Sequence, residues 1–154
     1  MHYRAATLSD LDAITSAITQ LAEEQLAAGS RIDPAGSESS FRSRIAEQIV
    51  DGGVIVAADS AGELVGIVTF YRVSDGLTRR DSVGVVEYLY VDEDRRREGI
   101  GEALLTRAES KLAADGIDVV ELEVLAENED AQTFYADCGY RSQRLRLAKR
   151  LDDS

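Results

Sequence analysis

Apolar residues at Leu11, Ile14, Ile18, Leu21 and Leu26 fall three to five positions apart, the spacing of one face of a helix. Ser9 or Asp10 stands where an N-cap would, and Gly29 closes the segment. Ahead of it, residues 2–7 alternate weakly and read as a strand. The stretch GSRIDPAGSESS holds the only proline, Pro34, and reads as a loop. Phe41, Ile45 and Ile49, four apart, then predict a second helix over about 39–51.

From Gly52 onward the period changes. GGVIVAADSAGELVGIVTFYRV is two β-rich runs joined at Asp59-Ser60-Ala61-Gly62, a hairpin pattern. SVGVVEYLYV, residues 82–91, is a third run dense in β-branched and aromatic residues. A helix follows over about 99–114, with Gly116 as its C-terminal stop. DVVELEV predicts a strand over 118–124, EDAQTFYADC a short helix, and YRSQRLRLAKRL a last strand. The order β-α-α-β-β-β-α-β-α-β predicts a mixed α/β sheet of about six strands with helices on both faces. At 154 residues the chain fits one domain spanning 1–154.

Composition narrows the function. A net charge of −12 offers no extended face for phosphate-rich nucleic acid. No apolar run reaches membrane-span length, and MHYRAATLSDLDA carries no signal-peptide core, so a cytoplasmic chain without membrane attachment is expected. Cys138 is the only cysteine and His2 the only histidine; no cluster has metal-ligand spacing, and no metal is expected. Lys111 and Lys149 are the only lysines among 17 basic residues. That pattern resembles salt-adapted proteins, although acidity serving solubility alone explains it as well.

Against this acidity, Arg95, Arg96 and Arg97 are packed beside Gly99-Ile100-Gly101 just where a helix begins. Amides at the front of a helix lack intrahelical acceptors and carry a positive partial charge, which suits an anion. Gly99 allows close approach to the main chain, and Gly101 lets the helix lie near a neighbour. Leu104 stands where a dinucleotide fingerprint needs a third small residue, and no Gly-Lys-Ser/Thr is present. The turn therefore reads as a diphosphate cradle or, alternatively, as a charged turn with a helix-breaking glycine.

Arg96-x-x-Gly99-x-Gly101 after a β-rich strand resembles the marker of the GCN5-related N-acetyltransferases. ENEDAQTFYADCGYR resembles that family's second marker, and the spacing between the two agrees. The resemblance implies a sheet splayed between the strand ending at Val91 and the strand over 118–124, with acetyl-CoA entering the split. It implies that main-chain groups of Leu89, Tyr90 and Val91 pair with the pantetheine arm. The amides of Arg96, Arg97, Glu98, Gly99, Ile100, Gly101 and Glu102 would hold the pyrophosphate, and Asn128 would contact the cosubstrate further along. The partner would be an amine, on a small molecule or a protein. Many relatives are dimers, which leaves a homodimer open.

Acyl transfer to an amine needs a base, because an amine with a pKa near ~10.4 is protonated at neutral pH. Strand alternation puts Glu87 on one face with Val83, Val85, Leu89 and Val91, where burial would make it a base, unless it pairs structurally with an arginine. Glu123 competes, alternating in VVELEV on the strand lining the split. Tyr135 is the candidate acid for the departing thiolate, or else a core tyrosine. A strand amide near Leu89 or Tyr90 would meet the oxyanion. The reading is thus an acetyl-CoA-dependent N-acetyltransferase; the alternatives are a non-catalytic acyl-CoA-binding or regulatory module and a nucleotide-phosphate protein.

Overall fold

A computed structural model describes residues 1–152. Five strands form one sheet in chain order: β1 (His2–Ala5), β2 (Val54–Ala58), β3 (Leu64–Arg72), β4 (Val83–Val91) and β5 (Val119–Glu121). The first four pair antiparallel and β5 joins β4 in parallel. Helices α1 (Leu11–Leu26) and α2 (Glu38–Val50) precede β2, α3 (Ile100–Ala114) connects β4 to β5, and α4 (Glu129–Asp137) follows.

The periodicities locate the two cores. Ile14, Ile18, Phe41, Ile45 and Ile49 pack with Val54, Val56, Ile67 and Tyr90 on one side of the sheet. Leu104, Leu105, Ala108 and Leu112 of α3 pack with Ala57, Val68, Phe70 and Val86 on the other. Helices therefore cover both faces, as the element order predicts. Before α1, a 3₁₀ turn at Leu8–Asp10 replaces the first helical turn. The Asp10 carboxylate accepts from Arg4 at 2.8 and 3.0 Å and from the Thr7 amide at 2.8 Å, tying β1 to the front of α1 instead of capping the helix.

Three expectations are corrected. The sheet has five strands among the described residues, not six. Residues 141–150 are exposed and unstructured, because an alternating pattern forms a strand only where a ladder partner receives it. The strand expected over 118–124 is only Val119–Glu121, since β4 turns away beyond Val85 and leaves nothing to pair with. Finally, a bulge breaks the alternation of β4. Thr69 lies opposite Tyr88 but Phe70 lies opposite Val86, so Glu87 has no partner residue. Val86, Leu89 and Val91 consequently face α3, while Tyr88 and Tyr90 face α1 and α2.

Candidate functional site

The β4–β5 pairing stops at Val85 opposite Glu121, while β4 runs on to Val91 held only by β3. One edge of β4 from Val86 onward is therefore open, which is the expected split beside Leu89, Tyr90 and Val91. Beyond it comes the arginine turn. Gly99 is the N-cap of α3 at φ +82°, and Arg97 also lies in the left-handed region at φ +68°. A side chain at Gly99 would meet nothing within 4 Å, so the main chain there lies open. After the Arg95 amide, which donates to the Asp92 carbonyl at 2.9 Å, the next amide to bond back is that of Ala103, which donates to the Gly99 carbonyl at 3.1 Å. The seven amides from Arg96 to Glu102 donate to no protein atom among the described residues. An open cleft of about 470 Å³ lined by Gly99, Glu102, Ala103, Thr106 and Arg107 adjoins them. At Gly101, a Cβ would sit 3.5 Å from Phe134 and 3.7 Å from Val91, so α3 does lie close to its neighbours here.

The three guanidinium groups do not act alike. Arg96 donates through Nε to the Val91 carbonyl (2.8 Å) and through Nη2 to both carboxylate oxygens of Glu24 (2.9 and 3.0 Å), and it stacks over Tyr90. Its side chain fastens the turn to β4 and α1 rather than facing an anion. Arg95 pairs with Glu98 at 3.3 Å. Only Arg97 has no side-chain partner among the described residues. The open donors of the turn are thus main-chain amides, with one free guanidinium close by.

At the bulge, Glu87 is turned toward α2, and its side chain is only 17% exposed. Arg44 donates to Oε2 in a short contact, and Gln48 Nε2 donates to Oε1 at 3.3 Å. Apolar flanking by Leu89 and Val91 does not occur, because the bulge sends those two to the opposite face; the arginine-paired environment is realised instead. Arg44 and Gln48, four apart on one face of α2, are the residues that pattern alone does not single out. Their spacing was readable, but their place opposite Glu87 is not local information. The Gln48 Oε1 is buried without a partner. Leaving such an acceptor bare costs about 1–3 kcal/mol, which marks the amide as held in place by its bond to Glu87.

Tyr135 lies on α4, packed against the α3 side of the core and edge-on to Phe134 and Tyr140. Its hydroxyl has no hydrogen-bond partner among the described residues. Burial, and secondarily Cys138, push its pKa up to about 12. Tyr140, in contrast, donates to Glu109 Oε2 at 2.5 Å, and burial together with that bond raises its pKa too. Asn128 caps α4 by accepting from the Ala131 amide at 3.1 Å, leaving its NH2 group available. Glu123 lies past the end of β5, 85% exposed and 3.4 Å from Arg146, in solvent rather than in the wall of the split.

The site is thus an open mixed sheet with unpaired amides where its split meets a helix. Residues 18–140 match the acetyltransferase (GNAT) family, and the chain belongs to it. It is 36% identical over 104 residues to acetyltransferase SG1711 of Sodalis glossinidius (strain morsitans), covering 66% of this chain and 68% of that protein. It is 35% identical over 99 residues to mycothiol acetyltransferase of Clavibacter michiganensis subsp. michiganensis, covering 64% of this chain but only 30% of that relative's length. A mutant form of the BH1408 protein from Bacillus halodurans shares the fold at a TM-score of 0.81 and 24% identity, with 98% of this chain and 99% of that one covered.

Proposed function

We propose that this chain transfers an acetyl group from acetyl-CoA to an amine. The observation that carries the reading is the run of seven amides, Arg96 to Glu102, left without protein acceptors at the mouth of the split. They would hold the pyrophosphate, joined by Arg97. The free edge of β4 at Leu89, Tyr90 and Val91 would pair with the pantetheine arm, and the Asn128 NH2 would contact it further along. Bound there, acetyl-CoA supplies an acetyl carbon activated as a thioester.

The chain's own residues do the rest. Glu87, at the fork of the sheet, accepts the proton of the ammonium directly or through a water, after Arg44 yields one carboxylate oxygen. The freed amine forms the N–C bond, and the C–S bond breaks as the adduct collapses. The second proton, shed by the acylated nitrogen, passes through water to the departing thiolate, so that coenzyme A leaves as the thiol. Tyr135 stays protonated at neutral pH and donates its hydroxyl hydrogen bond to the departing sulfur. A phenol near pKa 12 is a weaker acid than a thiol at about 8.5, so it stabilises the thiolate more readily than it surrenders its proton. An amide of the free β4 edge near Leu89 or Tyr90 meets the developing oxyanion. Glu123 is the lesser candidate for the base, because an exposed carboxylate keeps its water.

One feature favours a second reading, that of a binding module without turnover: Glu87 is already engaged by Arg44 and Gln48. A thiol-release screen with acetyl-CoA across small amines, peptide N-termini and lysine peptides separates the two. Amine-dependent release is expected. Tight coenzyme binding with no release from any amine would leave the module, and equal competition by ATP would return the site to a general phosphate binder.

A further inference from the structure

The Arg44–Glu87 pair stands in the path of the chemistry, and its two halves are unequally fixed. The Glu87 side chain is 17% exposed and keeps a second bond, from Gln48 Nε2 to Oε1 at 3.3 Å. The Arg44 side chain is 54% exposed, and its one hydrogen bond among the described residues is the contact of Nη2 with Glu87. A guanidinium carries five N–H donors in a planar fork, so most of this fork is unused. Arg44 is therefore the half that can move, and Gln48 holds the carboxylate in place when it does.

The pair lies in an aromatic setting. Tyr71 on β3 and Tyr88 on β4 flank it: burial first, and then the charge of Glu87, raise both phenols. Neither hydroxyl has a hydrogen-bond partner among the described residues, and Phe41 braces Tyr88 edge-on at 6.2 Å. Separating two charges costs more here than in open water.

An acceptor amine arrives as an ammonium and must take the place of Arg44 on Glu87. A simple monoamine does so by stranding the guanidinium, and it leaves a surplus positive charge beside it. An acceptor that also bears a carboxylate trades differently. Its ammonium goes to Glu87 and its carboxylate to the fork of Arg44, so every charge keeps a partner. The carboxylate–guanidinium match is also bidentate and geometrically specific. Because Arg44 and Glu87 begin in contact, the two charges of the acceptor must be close neighbours, as on an α- or β-amino acid.

We propose that the acceptor is an amino acid with a free carboxylate, and that this carboxylate draws Arg44 off Glu87, so that acceptor binding itself arms the base. The inference rests on the acetyl-transfer reading and names its acceptor class. It also accounts for the engaged state of Glu87: the base stays neutralised until an acceptor arrives, which limits wasteful hydrolysis of the thioester.

Initial rates of thiol release, with α-amino acids of small, aromatic, acidic and basic side chains and with the same amino acids as carboxamides, test this. Wild type should favour the free carboxylates in kcat/KM by about tenfold or more. Arg44→Gln should erase that preference, chiefly through the KM of the carboxylate acceptors. It should also raise thiol release in the absence of any amine, because Glu87 is then uncovered. Arg44→Lys should restore part of the preference. Arg44 lies outside both cores, so the variants should keep the wild-type circular dichroism. A guanidinium that merely braced α2 would affect both acceptor classes alike. Equal rates for acids and carboxamides in wild type, or a preference that survives Arg44→Gln, would overturn the inference and leave acetyl transfer standing. If no amine supports thiol release, the transfer reading fails, and calorimetric titration of the same amino acids into the protein decides the acceptor class alone. Binding by wild type that is lost in Arg44→Gln supports it; binding absent from wild type, or unchanged in the variant, sinks it.

Discussion

Gly99 holds a left-handed φ of +82° with open space where a side chain would be. Gly99→Val would strain the turn by about 1–3 kcal/mol and crowd the amides. The expected result is a KM for acetyl-CoA raised about tenfold or more with a smaller change in kcat, read from initial rates. An unchanged KM would remove the cradle. The two carboxylates are separable in the same assay. Glu87→Gln should lower kcat/KM by about 10²–10⁴ for amine acceptors, the usual range for a lost general base, whereas Glu123→Gln should stay near wild type. The reverse order would move the base to Glu123. Tyr135→Phe should reduce kcat while leaving cosubstrate KM alone. Because burial lifts this phenol to about 12, its ionisation adds no alkaline limb below about pH 11. A limb near pH 9–10 that vanished in the variant would show the hydroxyl to be more hydrated than the structure has it.

At the level of elements, the Arg4–Asp10 pair joins β1 to the front of α1, and its carboxylate is only 10% exposed. The guanidinium of Arg4 holds Asp10 below the ordinary carboxylate range, against a smaller opposing effect of burial. A depressed folded-state pKa adds stability above the unfolded value near ~3.9 that is lost as pH falls through the folded one. Asp10→Asn should therefore lower stability by about 1–3 kcal/mol at pH 7 in urea melts, and the gap to wild type should narrow below about pH 4. A constant gap across that range would mean that shape rather than charge holds the corner. The β4 bulge is the other decisive local device. By adding one residue it turns Glu87 and Tyr88 toward α2 and Leu89 toward α3, so one strand supplies both the carboxylate and the open edge. Arg96 contributes likewise by fixing the turn between β4 and α1.

Over the whole molecule, a net charge of −12 opposes compaction at low salt. Raising ionic strength from about 0.01 M to 1 M shortens the screening length from about 30 Å to 3 Å, so the melting temperature should rise over that range. A flat or falling response would indicate that the charges are already balanced locally. The helices α1 to α4, the hairpin at Asp59–Gly62 and the arginine–glycine turn ahead of α3 were all readable from the chain, because they rest on 3.6- and 2-residue periods and on glycines at fixed places. Glu87 stands out as a candidate through strand alternation, and Tyr135 and Asn128 through the resemblance of the second marker. Their surroundings were not readable. That Glu87 meets Arg44 and Gln48 from α2, that Arg96 faces Glu24, and that Leu145 and Leu147 find no seat in their own chain are matters of contacts between distant segments. Local pattern fixes which face of an element is apolar; only packing decides what that face, or a bulged residue within it, comes to touch.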